Sequence, residues 1–203
     1  MNYTGPKVRL SRRLVMSFTP KAAKVMNKKP YGPGQHGAGK RHGGKTSIYQ
    51  RQLVEKQCLK VFYNIHEKML RNYYAKATKW TGSTAENLVQ KLETRLDAVV
   101  QRSGLARTIY AARQYVVHGL ITVNGKRVDK PAATIQVGDV VAVKENKKSL
   151  LCFETALESA QPPVYLELNK DARSVRLVSL TKQEDIPILK ELDLSLIIEI
   201  YSR

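Results

Sequence analysis

The sequence predicts an α+β fold, in which a basic extended arm and a helical region precede a small module of helices packed on a short antiparallel sheet. The first observation is charge, because no Asp or Glu occurs before Glu55 while twelve Lys and Arg do. The second is a recurrence of apolar residues at spacings of three and four between residues 54 and 99. The third is a helix stop, a β-type run and an Asn-Gly turn between residues 112 and 128.

The charge of the chain predicts a polyanionic partner. The 203 residues carry 35 Lys and Arg against 17 Asp and Glu, a formal net charge of +18. Residues 1–46 are rich in Gly, Pro, Lys and Arg and hold little apolar surface, with a short helical possibility at residues 20–26. We therefore expect this arm to order mainly against a partner. No apolar stretch is long enough to span a bilayer, so no membrane partner is expected.

Helical patterns follow the arm. Residues 47–77 show a stripe that we expect to be buried, formed by Val54, Cys58, Val61, Phe62, Ile65, Met69 and Tyr73. Thr81-Gly82 interrupts the pattern, and Ser83 with Glu86 predicts a capping box for a helix that stops at Gly104. Thr108 is placed to cap a further short helix.

That short helix leads into a predicted hairpin. His118-Gly119 is typical of a helix C-terminus, residues 120–123 form a β-type run, and Asn124-Gly125 is a strong hairpin signal. A turn at 137–139 precedes a strand at 140–143, and residues 149–160 predict a helix. Three more β-type runs are predicted, at 164–168, 175–180 and 196–201.

Several motifs that suggest chemistry have simpler interpretations. The Gly-rich run at residues 34–41 resembles a P-loop, but Arg41 stands where a magnesium-binding Ser or Thr is needed. We interpret it as a cationic loop whose backbone approaches phosphates. Arg95-Leu96-Asp97 matches the catalytic element of pseudouridine synthases, yet a helical carboxylate paired with Arg95 or Arg102 is favoured.

No cofactor or metal is expected. The four histidines have no metal-ligand spacing, and the two cysteines, Cys58 and Cys152, are interpreted as small hydrophobes without a disulfide. No catalytic pairing stands out, so the chain is not predicted to be an enzyme. Aromatic residues make up 7% of the chain, which indicates recognition of double-helical RNA rather than a base-stacking platform.

Between Thr94 and Val143 the sequence resembles a known RNA-binding module, the one named after ribosomal protein S-four. The supporting segments are R-L-D-A-V-V, S-G-L-A-R-T, A-A-R-Q-Y-V-V-H-G, I-T-V-N-G-K-R-V and V-G-D. The module also occurs in some tRNA synthetases, pseudouridine synthases and a heat-shock protein. The flanks Y-T-G-P-K, P-G-Q-H-G, E-K-Q and L-I-I-E-I-Y-S-R resemble the ribosomal protein S-four family itself, nearly from end to end.

The resemblance implies a structural protein of the small ribosomal subunit. Members bind the small-subunit ribosomal RNA at a multi-helix junction of its 5′ domain early in assembly. They contact ribosomal protein S-five and other small-subunit proteins near the site where messenger RNA enters, and they influence decoding accuracy. A bacterial cytoplasmic ribosome is expected, with an organellar ribosome as the alternative.

The resemblance also implies a domain organisation. Residues 1–46 form the basic arm, 47–93 the helical part of domain one, 94–157 the inserted module, and 158–203 the C-terminal strands and a tail returning to domain one. Many members bind zinc through four cysteines in the arm, but Val8 and Ser11 stand where two of these are expected. We therefore expect a zinc-free protein.

The predicted RNA-binding residues fall into three groups. The arm supplies Arg12, Arg13, Gln35, His36, Lys40, Arg41 and Lys45; the first long helical stretch supplies Arg51 and Lys56; the module supplies Arg107, Arg113, Gln114, His118, Lys126 and Arg127. Ile109 and Leu120 stand where the family often has Arg and His. Two alternatives remain open from sequence: an RNA-modifying enzyme that uses Asp97, and a regulator that binds structured messenger RNA.

Overall fold

The protein was analysed as a computed structural model that describes residues 3–35, 37, 47–181, 185–186, 189 and 191–202. The helices are α1 Lys7–Leu14, α2 Pro20–Lys28, α3 Ile48–Phe62, α4 Glu67–Ala77, α5 Thr84–Glu93, α6 Leu96–Arg102, α7 Ile109–Val117, α8 Leu151–Leu157 and α9 Leu194–Ser202. The strands are β1 Ile121–Val123, β2 Lys126–Arg127, β3 Val140–Val143, β4 Leu166–Asn169 and β5 Ser174–Leu177. An α+β fold is confirmed.

The chain divides into two units. Residues 1–72 and 192–203 form the first unit, and residues 73–191 form the second. The predicted functional division at residues 46/47, 93/94 and 157/158 is a different partition and stays a prediction.

The described part of the arm is folded into two helices, more than the sequence predicted. Thr19 caps α2, since its Oγ1 accepts a hydrogen bond from the amide of Ala22 at 3.2 Å, and Pro20 occupies the first helical position. Helix α1 ends at Val15, which adopts a left-handed conformation with φ +55°. Local capping and packing of α1 on α2 therefore order a segment that has little apolar surface.

The helical stretch predicted at 47–77 is interrupted. Ser47 caps α3 through a 3.2 Å bond from the amide of Gln50, and α3 ends before Asn64, whose φ is +49°. Cys58 and Phe62 of the predicted stripe are buried, but Val54 is 38% exposed, so its assignment to the core is wrong. The left-handed residue turns the chain and displaces the apolar periodicity between α3 and α4.

The strand predicted at 196–201 is wrong, because these residues lie in α9. Asp193 provides the N-terminal cap, since its Oδ1 accepts from the amides of Ser195 at 3.0 Å and Leu196 at 3.4 Å. Ile197 is fully buried, and α9 packs on α3 within the first unit. Tertiary packing thus overrides the β propensity of a run rich in isoleucine.

The capping box predicted at Ser83 and Glu86 does not form, since the Ser83 side chain makes no capping bond. The loop before α5 is held instead by Asn87, whose Nδ2 donates to the carbonyls of Ala77, Trp80 and Thr81 at 3.3, 3.3 and 3.2 Å. A buried amide from the helix interior therefore replaces the expected cap.

The second unit is built around an antiparallel sheet with strand order β2-β1-β3-β5-β4. One sheet face packs against α6, α7 and α8 in a core that includes Val99, Val116, Val141, Phe153 and Val175. The predicted helix at 149–160 is confirmed in its middle as α8. The runs predicted at 164–168 and 175–180 are found as β4 and β5, each displaced by one to three residues. This core supports the helix–hairpin segment that carries the predicted site.

Candidate nucleic-acid interface

The junction between α7 and β1 has the geometry that the sequence predicts. Thr108 Oγ1 accepts from the amide of Ala111 at 3.2 Å and opens the helix, and His118 closes it. Gly119 follows with φ +67°, a conformation that favours glycine. A Cβ at this position would also overlap the guanidinium of Arg127. The glycine therefore lets the Arg127 side chain lie against the end of α7, beside the exposed His118.

The hairpin turn is rigidly attached to the rest of the sheet. Asn124 and Gly125 have φ values of +49° and +78°, as a type I′ turn requires. The Asn124 side chain donates to Asp139 Oδ1 at 2.8 Å and accepts from the amide of Val140 at 2.9 Å. Since Asp139 also accepts from the amide of Gln136 at 2.8 Å, two turns brace each other. Exposed cations at Lys126 and Arg127 are thus presented from a fixed backbone.

A buried ion pair fixes the start of α6. Arg95 donates from Nε and Nη2 to the two oxygens of Asp97 at 2.9 and 2.6 Å, and both side chains are 1% exposed. Burial acts to lower the pKa of Arg95, but the hydrogen bonds and charge of Asp97 outweigh burial and raise the pKa. Pairing with Arg95 is confirmed. Arg102 instead forms a bidentate pair with Glu93, with a shortest distance of 2.9 Å.

This geometry argues against catalysis by Asp97. Its carboxylate is closed to solvent and bonded to a guanidinium and to the amide of Ala98, at 3.0 Å. A carboxylate in that state does not reach a nucleotide, so the reading as an RNA-modifying enzyme is not supported.

Arg113 differs from the other predicted cations of the module. Its Nη1 lies 3.6 Å from Oδ2 of Asp97, and 28% of its side chain is exposed. Arg107, Gln114, His118, Lys126 and Arg127 are all exposed. Part of the charge of Arg113 is therefore directed at a buried carboxylate, and this residue has a structural role as well as a partly accessible surface.

The first unit also presents exposed cations that were not among the residues predicted from the sequence to bind RNA. Lys21, Lys24 and Lys28 are exposed along α2 at helical spacing, and Arg9 is exposed on α1 together with the predicted Arg13. These lysines are three and four residues apart, the spacing that places side chains on one face of a helix. This spacing is the sequence pattern from which the cationic face could have been predicted. No Asp or Glu precedes Glu55, so the arm itself contains no carboxylate side chain that could neutralise these cations.

Two predicted cations of the first unit are engaged within the protein. Arg12 donates to the carbonyls of Tyr31 at 3.1 Å and Gly32 at 3.0 Å, and its guanidinium lies 5.0 Å from the Tyr31 ring centroid. Lys56 forms an ion pair with Glu67 at 3.1 Å. Carbonyls are neutral, so among the described residues the charge of Arg12 meets no carboxylate, whereas Glu67 compensates the charge of Lys56.

The other residues predicted to bind RNA lie in the arm and in α3. Gln35 and Arg51 are exposed, and His36, Lys40, Arg41 and Lys45 lie outside the described residues. In the ranges that the structure describes, no group of three or more His, Cys, Asp and Glu is arranged to hold a metal ion. No helix among the described residues is long and apolar enough to cross a bilayer.

Comparison with known proteins shows similarity over the whole chain. A family model described as the ribosomal protein S4/S9 N-terminal domain matches residues 2–93, and one described as the S4 domain matches residues 94–141. The chain is 44% identical over 207 residues to small ribosomal subunit protein uS4 of Streptomyces avermitilis, covering 100% of this chain and 99% of that protein. It is 41% identical to uS4 of Thermobifida fusca, with 100% of both chains covered. It is 42% identical to uS4 of Granulibacter bethesdensis, with 97% of both covered.

Proposed function

The chain belongs to the ribosomal protein S4 family, and from that premise we propose that it grips a multi-helix junction of the small-subunit ribosomal RNA and nucleates assembly there. As a member of this family it is a structural constituent of the small ribosomal subunit, it carries an RNA-binding S4 domain, and it is not an enzyme. The relatives are bacterial, so we place it on the bacterial ribosome in the cytoplasm.

The observation that supports this proposal is the attachment of exposed cations to a braced backbone. Gly119 positions Arg127 against the end of α7, and the Asn124–Asp139 contact fixes the turn before Lys126. A rigid backbone of this kind suits recognition of phosphates at fixed spacing in folded RNA, because little loop ordering is needed on binding. The hairpin thus supplies orientation.

The cations of the first unit supply electrostatic affinity. Arg9, Arg13 and the α2 lysines are exposed in a segment without any carboxylate. Each phosphate that such a cation neutralises releases a counterion, so affinity depends steeply on salt. We propose that these two surfaces act on the same RNA, one positioning the protein and the other strengthening its binding.

The test is RNA binding as a function of salt. The full chain is titrated with a transcript of the 5′ domain of the small-subunit ribosomal RNA, and an unrelated folded RNA of equal length is the control. If roughly 6–10 phosphates are neutralised, affinity falls by about 10³–10⁵ between 50 and 200 mM salt. A binding constant that barely changes over this range, or equal affinity for both RNAs, contradicts the proposal.

The assembly role and the contacts to other components need separate experiments. We propose that the chain joins early, contacts ribosomal protein S-five and other small-subunit proteins near the site where messenger RNA enters, and so contributes to decoding accuracy. When small subunits are reconstituted without this chain, we expect the addition of later proteins to be blocked. Normal addition of those proteins, or unchanged misreading of a reporter by variants that weaken RNA binding, contradicts these parts of the proposal.

A further inference from the structure

The loop between α4 and α5, residues 78–83, displays the only tryptophan of the chain, Trp80. Its side chain is 52% exposed, although large aromatic residues are usually buried. The backbone of the loop is well ordered, because the buried Asn87 side chain donates hydrogen bonds to the carbonyls of Ala77, Trp80 and Thr81. The amide of Trp80 also donates to the carbonyl of Ala77 at 3.3 Å. The indole is thus presented to solvent from an ordered backbone.

One face of the indole is already covered by a cation. The ammonium of Lys91, on α5, lies 3.1 Å from the ring centroid of Trp80. With Lys91 over one face, 52% of the residue is still exposed, so the surface left to a ligand is the part of the ring away from Lys91. Burial lowers the pKa of Lys91, and the nearby charge of Lys76 lowers it further. Two cations therefore lie close together beside an open aromatic surface.

The electrostatic surroundings favour an anionic occupant. No Asp or Glu occurs between Glu67 and Glu86. Lys76 and Lys79 are exposed on either side of the α4 terminus, and in the described part of the chain neither they nor Lys91 forms an ion pair. Like charges held together without a carboxylate repel each other, and a phosphate between them would relieve that repulsion.

We propose that an unpaired nucleobase of the ribosomal RNA stacks on the exposed part of the Trp80 ring, while Lys76, Lys79 and Lys91 neutralise the adjoining phosphates. The proposal rests on the proposed function, which supplies the RNA partner. An aromatic face beside cations is the combination that recognises unstacked bases, since every base has a π-face. The low aromatic content of the sequence argued against a stacking platform, but a single ordered indole is sufficient for one base.

The single tryptophan makes the test direct, because all tryptophan fluorescence comes from this loop. The full chain is titrated with the 5′-domain transcript while fluorescence and quenching by acrylamide are recorded. Stacking is expected to reduce the emission and to protect the indole from acrylamide in parallel with binding. A second titration with an oligouridylate shows whether an isolated single strand is sufficient, and protection by either RNA supports the stacking site.

Variants separate the ring from the charges. Trp80→Ala is expected to weaken binding of the transcript by about 5- to 150-fold, and Trp80→Phe is expected to retain most of the affinity. The double variant Lys76→Ala/Lys79→Ala is expected to reduce the salt slope by about 1.4, if each lysine neutralises one phosphate of a single strand. Val164→Ala is the matched control, since Val164 is 95% exposed in the same unit, and it is expected to bind as the wild type does.

The outcomes distinguish this inference from the proposed function. If the wild type does not bind the transcript, the proposed function fails. If the wild type binds the transcript, but Trp80→Ala binds it equally well, or the wild-type indole is quenched by acrylamide as strongly with RNA as without it, only the stacking site is overturned. Protection of the indole by another small-subunit protein, and not by either RNA, also overturns it, because the loop would then be a protein contact.

Discussion

We predict that Glu67→Gln weakens the attachment of the C-terminal helix α9 and that the effect becomes smaller in acid. The Glu67 carboxylate accepts from Lys56 at 3.1 Å, Lys60 at 3.0 Å and the hydroxyl of Tyr201 at 2.7 Å. Burial acts to raise the pKa of Glu67, but the bonds from Tyr201 and the two lysines outweigh burial and lower the pKa to about 2. One side chain thus links α3, α4 and α9.

The magnitude follows from the change in pKa. A fall from 4.5 to about 2 corresponds to roughly 3.4 kcal/mol for a fully buried group. Since 38% of the Glu67 side chain is exposed, solvent screening reduces this to about 1–2 kcal/mol. A folded-state pKa below the unfolded value stabilises the fold above about pH 5, and this contribution is lost as the pH falls towards 2. At pH 3 roughly 40% of the contribution remains.

The assay is urea unfolding of wild type and variant between pH 7 and pH 3. Glu191→Gln is the control, because Glu191 is exposed and lies three residues before the start of α9. We expect Glu67→Gln to unfold at lower urea concentration at pH 7 and to approach the wild type at pH 3. Equal stability at pH 7, or a difference that does not shrink on acidification, would refute the reasoning.

Three further predictions concern single residues. Arg113→Ala should lower both the RNA affinity and the free energy of unfolding, because Arg113 Nη1 faces the buried Asp97 at 3.6 Å. Lys126→Ala should lower the RNA affinity alone. Equal melting temperatures for the two variants would contradict a structural role for Arg113. Gly119→Ala should destabilise the second unit by about 1–3 kcal/mol in urea unfolding, because φ is +67° and the new Cβ meets a guanidinium; wild-type stability would contradict the close approach. Cys58 should react with a thiol reagent only when the protein unfolds, because it is 2% exposed. Burial, and to a smaller extent the charge of Glu55, also raises the pKa of the Cys58 thiol to about 12. Rapid labelling of this thiol in native protein at neutral pH would disprove its burial.

The helix–hairpin of the module was predictable because its determinants are local. Thr108 caps a helix whose first turn is adjacent, Gly119 takes the conformation that glycine tolerates, and Asn124-Gly125 selects a turn of two residues. None of these choices depends on a distant part of the chain. Each of the three predictions made from these residues is confirmed by the structure.

The C-terminal helix was not predictable in the same way. Its residues favour a strand by propensity, and what makes them helical is a cap at Asp193 and packing against α3. The contact between Tyr201 and Glu67 joins residues separated by 134 positions. A pattern within a short window contains no information about such a partner, so propensity alone gave the wrong element.

The same limit applies to the site residues. Arg113 and Lys56 were predicted as RNA contacts from their charge, and only the fold brings each to a carboxylate, at Asp97 and Glu67 respectively. Conversely, Trp80 is exposed on a loop whose backbone is fixed by Asn87, a residue of the following helix that donates a hydrogen bond to the Trp80 carbonyl. Sequence identifies which residues carry charge, but tertiary contacts decide how much of that charge is compensated inside the protein.

The distribution of acids in the first unit indicates where RNA binding is strongest. Its described carboxylates lie outside the arm, in α3, in α4, at the N-terminal cap of α9 and in α9 itself. Among them, Glu67 neutralises Lys56 and Lys60. In the arm, Arg12 instead uses the neutral carbonyls of Tyr31 and Gly32, so the fold is stabilised without cancelling charge. Replacing Arg13 by Ala should therefore reduce the salt slope of RNA binding by about 0.9, while replacing Lys56 by Ala should lower stability and leave the slope unchanged. Compensated cations stabilise the fold, and uncompensated ones remain available for the phosphates of the RNA.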